Sequence, residues 1–237
     1  MAKHEDLVAE IAAQCDRLLT RADQLKRYMV ISAALAQSDP KSLYFLTVES
    51  RGAAIVGICA ELEALTRTIL QRSHEEINES SIPYSQMSAS LRQLAAHETF
   101  ESLRSLRDHS RLWDRRAHAT TLEFCNDFVK LPIERRHAQP PLDGRTLKPE
   151  HFYRIWAIYN LPGEAFPVVG WAASLQKVAL LRNDIAHGNV AFADVFKQAG
   201  TSMREIEAYL DDLSHFSIHV AIQWQEYLSV GGYLLNS

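Results

Sequence analysis

The chain is poor in residues that interrupt helices, with nine glycines and eight prolines among 237 residues. So few breakers argue against a many-turned β fold and favour long helices. It also lacks a long apolar run. The longest, Gly52 to Ala60, has about nine residues, where a membrane-spanning helix needs roughly 20. No membrane span is therefore expected. Only three cysteines occur, Cys15, Cys59 and Cys125, far apart and set among apolar residues. An odd, scattered set excludes a disulfide framework and zinc spacing, and predicts buried free thiols in a reducing cytosol. The opening Met-Ala-Lys-His-Glu-Asp has no apolar stretch behind a basic start, so no signal peptide is expected and a cytoplasmic location is. No Gly-rich phosphate loop, G-x-S-x-G elbow or H-E-x-x-H motif is present, which removes the common phosphate-loop, hydrolase and zincin chemistries.

What remains is an ordinary globular composition, 47% hydrophobic and 23% charged, with ample chain for a sizeable core. A net charge of −4 argues against non-specific nucleic-acid binding by the whole chain. The charge is uneven, however. Residues 102–154 carry 11 Lys/Arg against 7 Asp/Glu, a local +4, which leaves 14 against 22, or −8, elsewhere. Arg104, Arg107, Arg111, Arg115 and Arg116 crowd together there, and Arg135, Arg136 and His137 follow. Arg111, Arg115 and Arg116 are the candidate RNA contacts, since guanidinium groups neutralise backbone phosphates. The alternative is a solvated helix face with Asp108 and Asp114 pairing locally.

Apolar residues recur at helical spacing over 5–37 and 41–76. Asp39-Pro40 separates the two, with Asp39 at the N-cap and Pro40 at the first helical position. Shorter helices are expected at 85–96, 99–112 and 150–160, and a loop at 78–84. Pro132, Pro140, Pro141, Asp143-Gly144 and Pro149 mark a long surface loop over 132–149. A helix over about 168–187 should end at Gly188-Asn189. Ser202-Met-Arg-Glu205 is a capping box that opens a last helix, 203–229. No segment alternates with period two. The class expected is all-α: an antiparallel bundle of long helices with smaller helices inserted in the middle.

The segment Ala179 to Gly188 is the most informative. Trp171, Leu175, Val178, Arg182 and Ile185 fall on one helical stripe, so Arg182 sits in an apolar seam. A guanidinium there is costly unless it is paired or faces a polar cavity. Asn183 and His187 are one turn apart, so Asn183 is expected to hydrogen-bond the imidazole and set its tautomer. Arg182, Asn183 and His187 thus offer a cation, an orienting amide and a titrating base. That set suits metal-free phosphodiester cleavage, with His187 moving protons and Arg182 holding the phosphate. RNA carries the internal 2′-hydroxyl such chemistry needs. One imidazole cannot easily act as acid and base in a single step, so a symmetric dimer with two such sets is expected. No metal and no cofactor are called for. The nearest metal-like spacing is Asp211, His215 and His219 on the last helix, which reads as a solvated face.

Arg182-Asn183-Asp-Ile-Ala-His187 resembles the R-x4–6-H motif of the HEPN superfamily, including the polar residue just after the arginine. The resemblance implies an all-α dimer with a composite ribonuclease site, acting as a toxin or antiviral-defence effector on RNA and restrained by an antitoxin or regulatory protein. Some members are inactive scaffolds that bind RNA, nucleotide or protein, which is the alternative function. Ala60-Glu-Leu-Glu-Ala-Leu65 resembles an acidic early-helix stretch of some members, which would bring Glu63 towards Arg182. Residues 1–237 then form one domain, with the bundle core at about 41–77 and 168–229 and an insertion at about 85–160. Spacing alone is weak, because six pairs satisfy it: Arg67–His74, Arg92–His97, Arg104–His109, Arg111–His118, Arg145–His151 and Arg182–His187.

Overall fold

The structure is a computed structural model that describes residues 4–97, 100, 116–117, 121, 126–133, 139–187 and 192–235. Among these the elements are α1 (Glu5–Ser38), α2 (Pro40–Glu79), a 3-10 turn (Tyr84–Gln86), α3 (Ala89–Ala95), α4 (Pro149–Tyr159), α5 (Val169–His187), α6 (Phe192–Gln198) and α7 (Met203–Ser229). The chain is all-α. The described residues contain no strand, only isolated bridges from Pro83 to Phe128 and from Met87 to Leu234.

The sequence logic of the first hairpin holds. Asp39 is the single residue between α1 and α2, and its carboxylate accepts a hydrogen bond from the Ser42 amide at 3.3 Å. Pro40, which has no N–H to lose, takes the first helical position. Ion pairs Arg72–Glu10 (2.9 Å) and Arg17–Glu61 (3.2 Å) cross the antiparallel pair. The buried stripe of α1, Leu7, Ile11, Cys15, Leu18, Leu25 and Met29, meets that of α2, Ile55, Ile58, Leu62, Leu65 and Ile69. Helix α7 begins at the foreseen capping box, with Ser202 and Glu205 bonding each other's backbone amides. It packs on α1, α2 and α5, and Trp224 Nε1 donates to Ser73 Oγ at 2.7 Å. Helix α5 lies against α2 and α7, tied by Ser174 Oγ donating to Asp212. These four long helices form the bundle.

Residues 85–160 contribute to the same apolar cluster through Met87, Leu91, Val129, Leu131, Leu147, Phe152 and Tyr159. Phe152 and Phe166 each sit 4.7 Å from Phe216, and Tyr159 sits 4.6 Å from Trp224 (ring centroids), which couples α4 and the segment after it to α7. Boundaries shift from the sequence reading in three places. Helix α2 continues to Glu79, because Ile77 packs into the core. The helix expected over 85–96 divides into the 3-10 turn and α3, with Ser88 held extended between them. Helix α6, within 192–198, was not foreseen, since seven residues are too short to display a period. Apart from Phe100, the helix expected over 99–112 lies outside the described residues, as does the cap Gly188-Asn189. Cys15 and Cys59 are buried free thiols; Cys125 also lies outside the described set. No described helix is long and apolar enough to cross a membrane.

Candidate active site

Three elements converge on one solvent-open cavity of about 340 Å³ lined by Glu63, Gly144, Arg145, Thr146, Lys148, Arg182, Asn183 and His187. Helix α5 supplies Arg182, Asn183 and His187 from its last turn and a half. Its buried residues Leu175, Val178, Ala179 and Leu181 hold it against the bundle. The predicted stripe is buried at Leu175 and Val178 and partly open at Arg182 and Ile185, so the seam runs out of the core into the cavity. His187 is exposed at the helix C-terminus.

Arg182 is half-buried. Among the described residues no carboxylate lies within 4 Å of it, and it makes no hydrogen bond. The bland account of this arginine, pairing with a core carboxylate, is therefore not what the structure holds. Glu63 reaches the same cavity from α2 without forming an ion pair. Cys59 lies one turn before Glu63, behind both charges. Burial pushes its thiol up to about 12, the Glu63 charge adds to this, and Arg182 opposes it. Such a thiol stays protonated and unreactive.

One expectation is corrected. Asn183 does not bond His187; its Oδ1 accepts from the Thr146 hydroxyl at 2.8 Å. With the carbonyl end occupied, the amide NH2 is the end left for other partners. Thr146, Arg145 and Lys148 were missed as site residues. They come from the proline-marked segment 132–149, whose expected length as a surface loop was the available signal for a functional segment. That loop is pinned at both ends. At the far end, Asn78 brackets Leu131, accepting from its amide at 2.6 Å and donating to its carbonyl at 3.0 Å. His74 Nδ1 donates to the Pro132 carbonyl at 2.6 Å, and the Tyr159 hydroxyl donates to His74 Nε2. At the near end, Thr146 and Leu147 are buried.

The other predicted residues are not gathered here. Arg111 and Arg115 lie outside the described residues. Arg116 is exposed on a short helical segment. Asp211 pairs with Lys26 at 2.5 Å. His219 donates to the Glu164 carbonyl at 3.1 Å and stacks on Trp156. His215 is exposed. Asp211 and His219 are thus engaged elsewhere, and no group of three His, Cys, Asp or Glu among the described residues is arranged to hold a metal ion.

The fold is thus an all-α bundle that places arginine, asparagine and histidine from one helix end in an open, polar cavity. The RiboL-PSP-HEPN family model matches residues 18–223, most of the chain, and the protein belongs to that family. HEPN domains are all-α, RNA-related and ribonuclease-like. No curated protein and no solved structure matches the chain.

Proposed function

We propose that the protein is a metal-independent endoribonuclease of toxin or antiviral-defence type, active as a dimer. The observation that carries this reading is the cavity itself: Arg182, unpaired and half-buried, shares it with exposed His187 and with Asn183. Open access favours an enzyme over an inactive scaffold, which has no need to keep an arginine and a titrating base together in solvent. In the reaction, His187 removes the proton from an RNA 2′-hydroxyl. The 2′-oxygen attacks phosphorus, the bond from phosphorus to the 5′-oxygen breaks, and the leaving oxygen takes a proton from His187 of the second copy. Arg182 holds the phosphate and offsets charge building on its oxygens. Glu63 shares the cavity with Arg182 as its one carboxylate. An antitoxin or regulatory protein would restrain the activity by covering this opening.

The test is incubation of the pure protein with single-stranded RNA and with DNA of the same sequence, both in EDTA. RNA should be cut and DNA left intact, since DNA has no 2′-hydroxyl. Cleavage of both strands alike would overturn the mechanism. Sedimentation should give a dimer at micromolar concentration; a monomer that retains full activity would remove the composite site.

A further inference from the structure

The cavity holds more fixed positive charge than one phosphodiester requires. Arg145, Lys148 and Arg182 line it, against the single carboxylate of Glu63. A scissile phosphate carries one negative charge, and Arg182 already meets it. The loop backbone that carries the other two cations is held by local hydrogen bonds. Between them, Thr146 and Leu147 turn inward and are buried. Thr146 bonds Asn183 at 2.8 Å. The Lys148 amide donates to His151 Nδ1 at 3.0 Å, which leaves His151 Nε2–H to donate to Asp143 at 3.2 Å. Asp143 also accepts from the Arg145 backbone amide at 3.1 Å. The loop's own carboxylate bonds its backbone and His151, lies close enough to Arg145 for that charge to help hold it below the usual carboxylate range, and does not line the cavity. Neither the Arg145 guanidinium nor the Lys148 ammonium has a hydrogen-bond or ion-pair partner among the described residues. Unpaired cations set side by side repel, and a bound anion relieves that repulsion.

We propose that Arg145 and Lys148 form a second phosphate subsite, which takes the phosphodiester next to the scissile one on a single RNA strand. The proposal rests on the ribonuclease reading for the identity of its ligand. The loop then reads length of strand rather than chemistry: Arg182 and His187 act on one phosphate, and the loop holds its neighbour.

The experiment measures binding of a fluorescent 2′-O-methyl oligoribonucleotide, which cannot be cleaved because it lacks the nucleophile. The wild-type protein is compared with the Arg145→Gln/Lys148→Gln double variant over a range of salt. The double variant should bind about tenfold or more weakly at low salt, as expected for losing charge-assisted contacts. The slope of log affinity against log salt should flatten by about 0.7, the value for one phosphate of a single strand. Arg145→Lys, which keeps the charge, should restore most of the binding. In cleavage, the loss should be much larger on a long strand than on a dinucleoside monophosphate, which has only the scissile phosphate. Unchanged affinity and slope overturn the subsite, as does an equal loss on both substrates. If the wild-type protein binds with this pattern but cuts nothing, the subsite stands and the ribonuclease reading fails. If it cuts while binding ignores the loop cations, the reverse holds.

Discussion

Arg67–His74 and Arg182–His187 both satisfy the same arginine-to-histidine spacing, yet the fold uses them in opposite ways. His74 is fully buried on α2, donating to the Pro132 carbonyl and accepting from Tyr159. Burial pushes its pKa down to about 4, with the Pro132 carbonyl partly opposing. Its arginine partner in sequence, Arg67, is exposed and does not line the cavity. His187 stands exposed at a helix end beside an unpaired arginine. A third pair, Arg145–His151, is split: His151 is buried and bonds the loop backbone, while Arg145 faces the cavity. A histidine whose two ring nitrogens are both taken by the protein is a fastener. One with free nitrogens beside a cation is available for chemistry. Spacing does not distinguish them; burial and partners do.

The largest expected effect separates the two histidines directly. His187→Ala should lower RNA cleavage by about 10²–10⁴-fold, the usual worth of a positioned proton-transfer group. Its thermal stability should stay near wild type, because the removed ring is exposed. Loss of folding in circular dichroism would mean that His187 is a fastener too.

The second effect falls on stability. The folded state holds His74 neutral, while the unfolded chain binds its proton near the ordinary value of about 6.5. The unfolded state therefore carries more protons between pH 6.5 and 4, and the contribution of His74 is complete above that window and lost as pH falls through it. The loss is about 3 kcal/mol. Denaturant titrations at pH 7 and pH 4 should show it in the wild type. His74→Gln should be less stable at pH 7 and should lose less between the two. Equal pH dependence in both proteins would show that the acid sensitivity lies elsewhere.

The smallest effect tests the bridge between the regions, Thr146. Thr146→Val removes the hydroxyl that fixes Asn183 and leaves its carbonyl without that partner, worth about 1–2 kcal/mol. Cleavage should fall by several-fold, and Thr146→Ser should restore it. Failure of serine to rescue would assign the loss to packing rather than to the orientation of Asn183.

Much of this was legible in the sequence where local rules decide. The caps at Asp39 and Ser202, the stripe of α5 and the placement of Arg182 and His187 follow from periodicity and from residues that cap or end helices. Even Glu63, reached only through resemblance, lines the cavity. What was not legible depends on contacts between distant segments. Thr146 lies 37 residues from Asn183, and His74 lies 58 residues from Pro132. No local pattern reveals that a loop starting beside α2 will close over the end of α5. The expected bond from Asn183 to His187 was reasonable from helix geometry alone; a tertiary partner displaced it.

The central claim is that Arg182 and His187 cut RNA by activating its own 2′-hydroxyl. It is tested most directly by the ends of the products made in EDTA. Wild-type protein should leave a 2′,3′-cyclic phosphate and a 5′-hydroxyl, and His187→Ala should leave neither above background while still binding the strand. Wild-type cleavage by His187→Ala would contradict the account, as would activity that vanishes in EDTA and returns with a divalent metal.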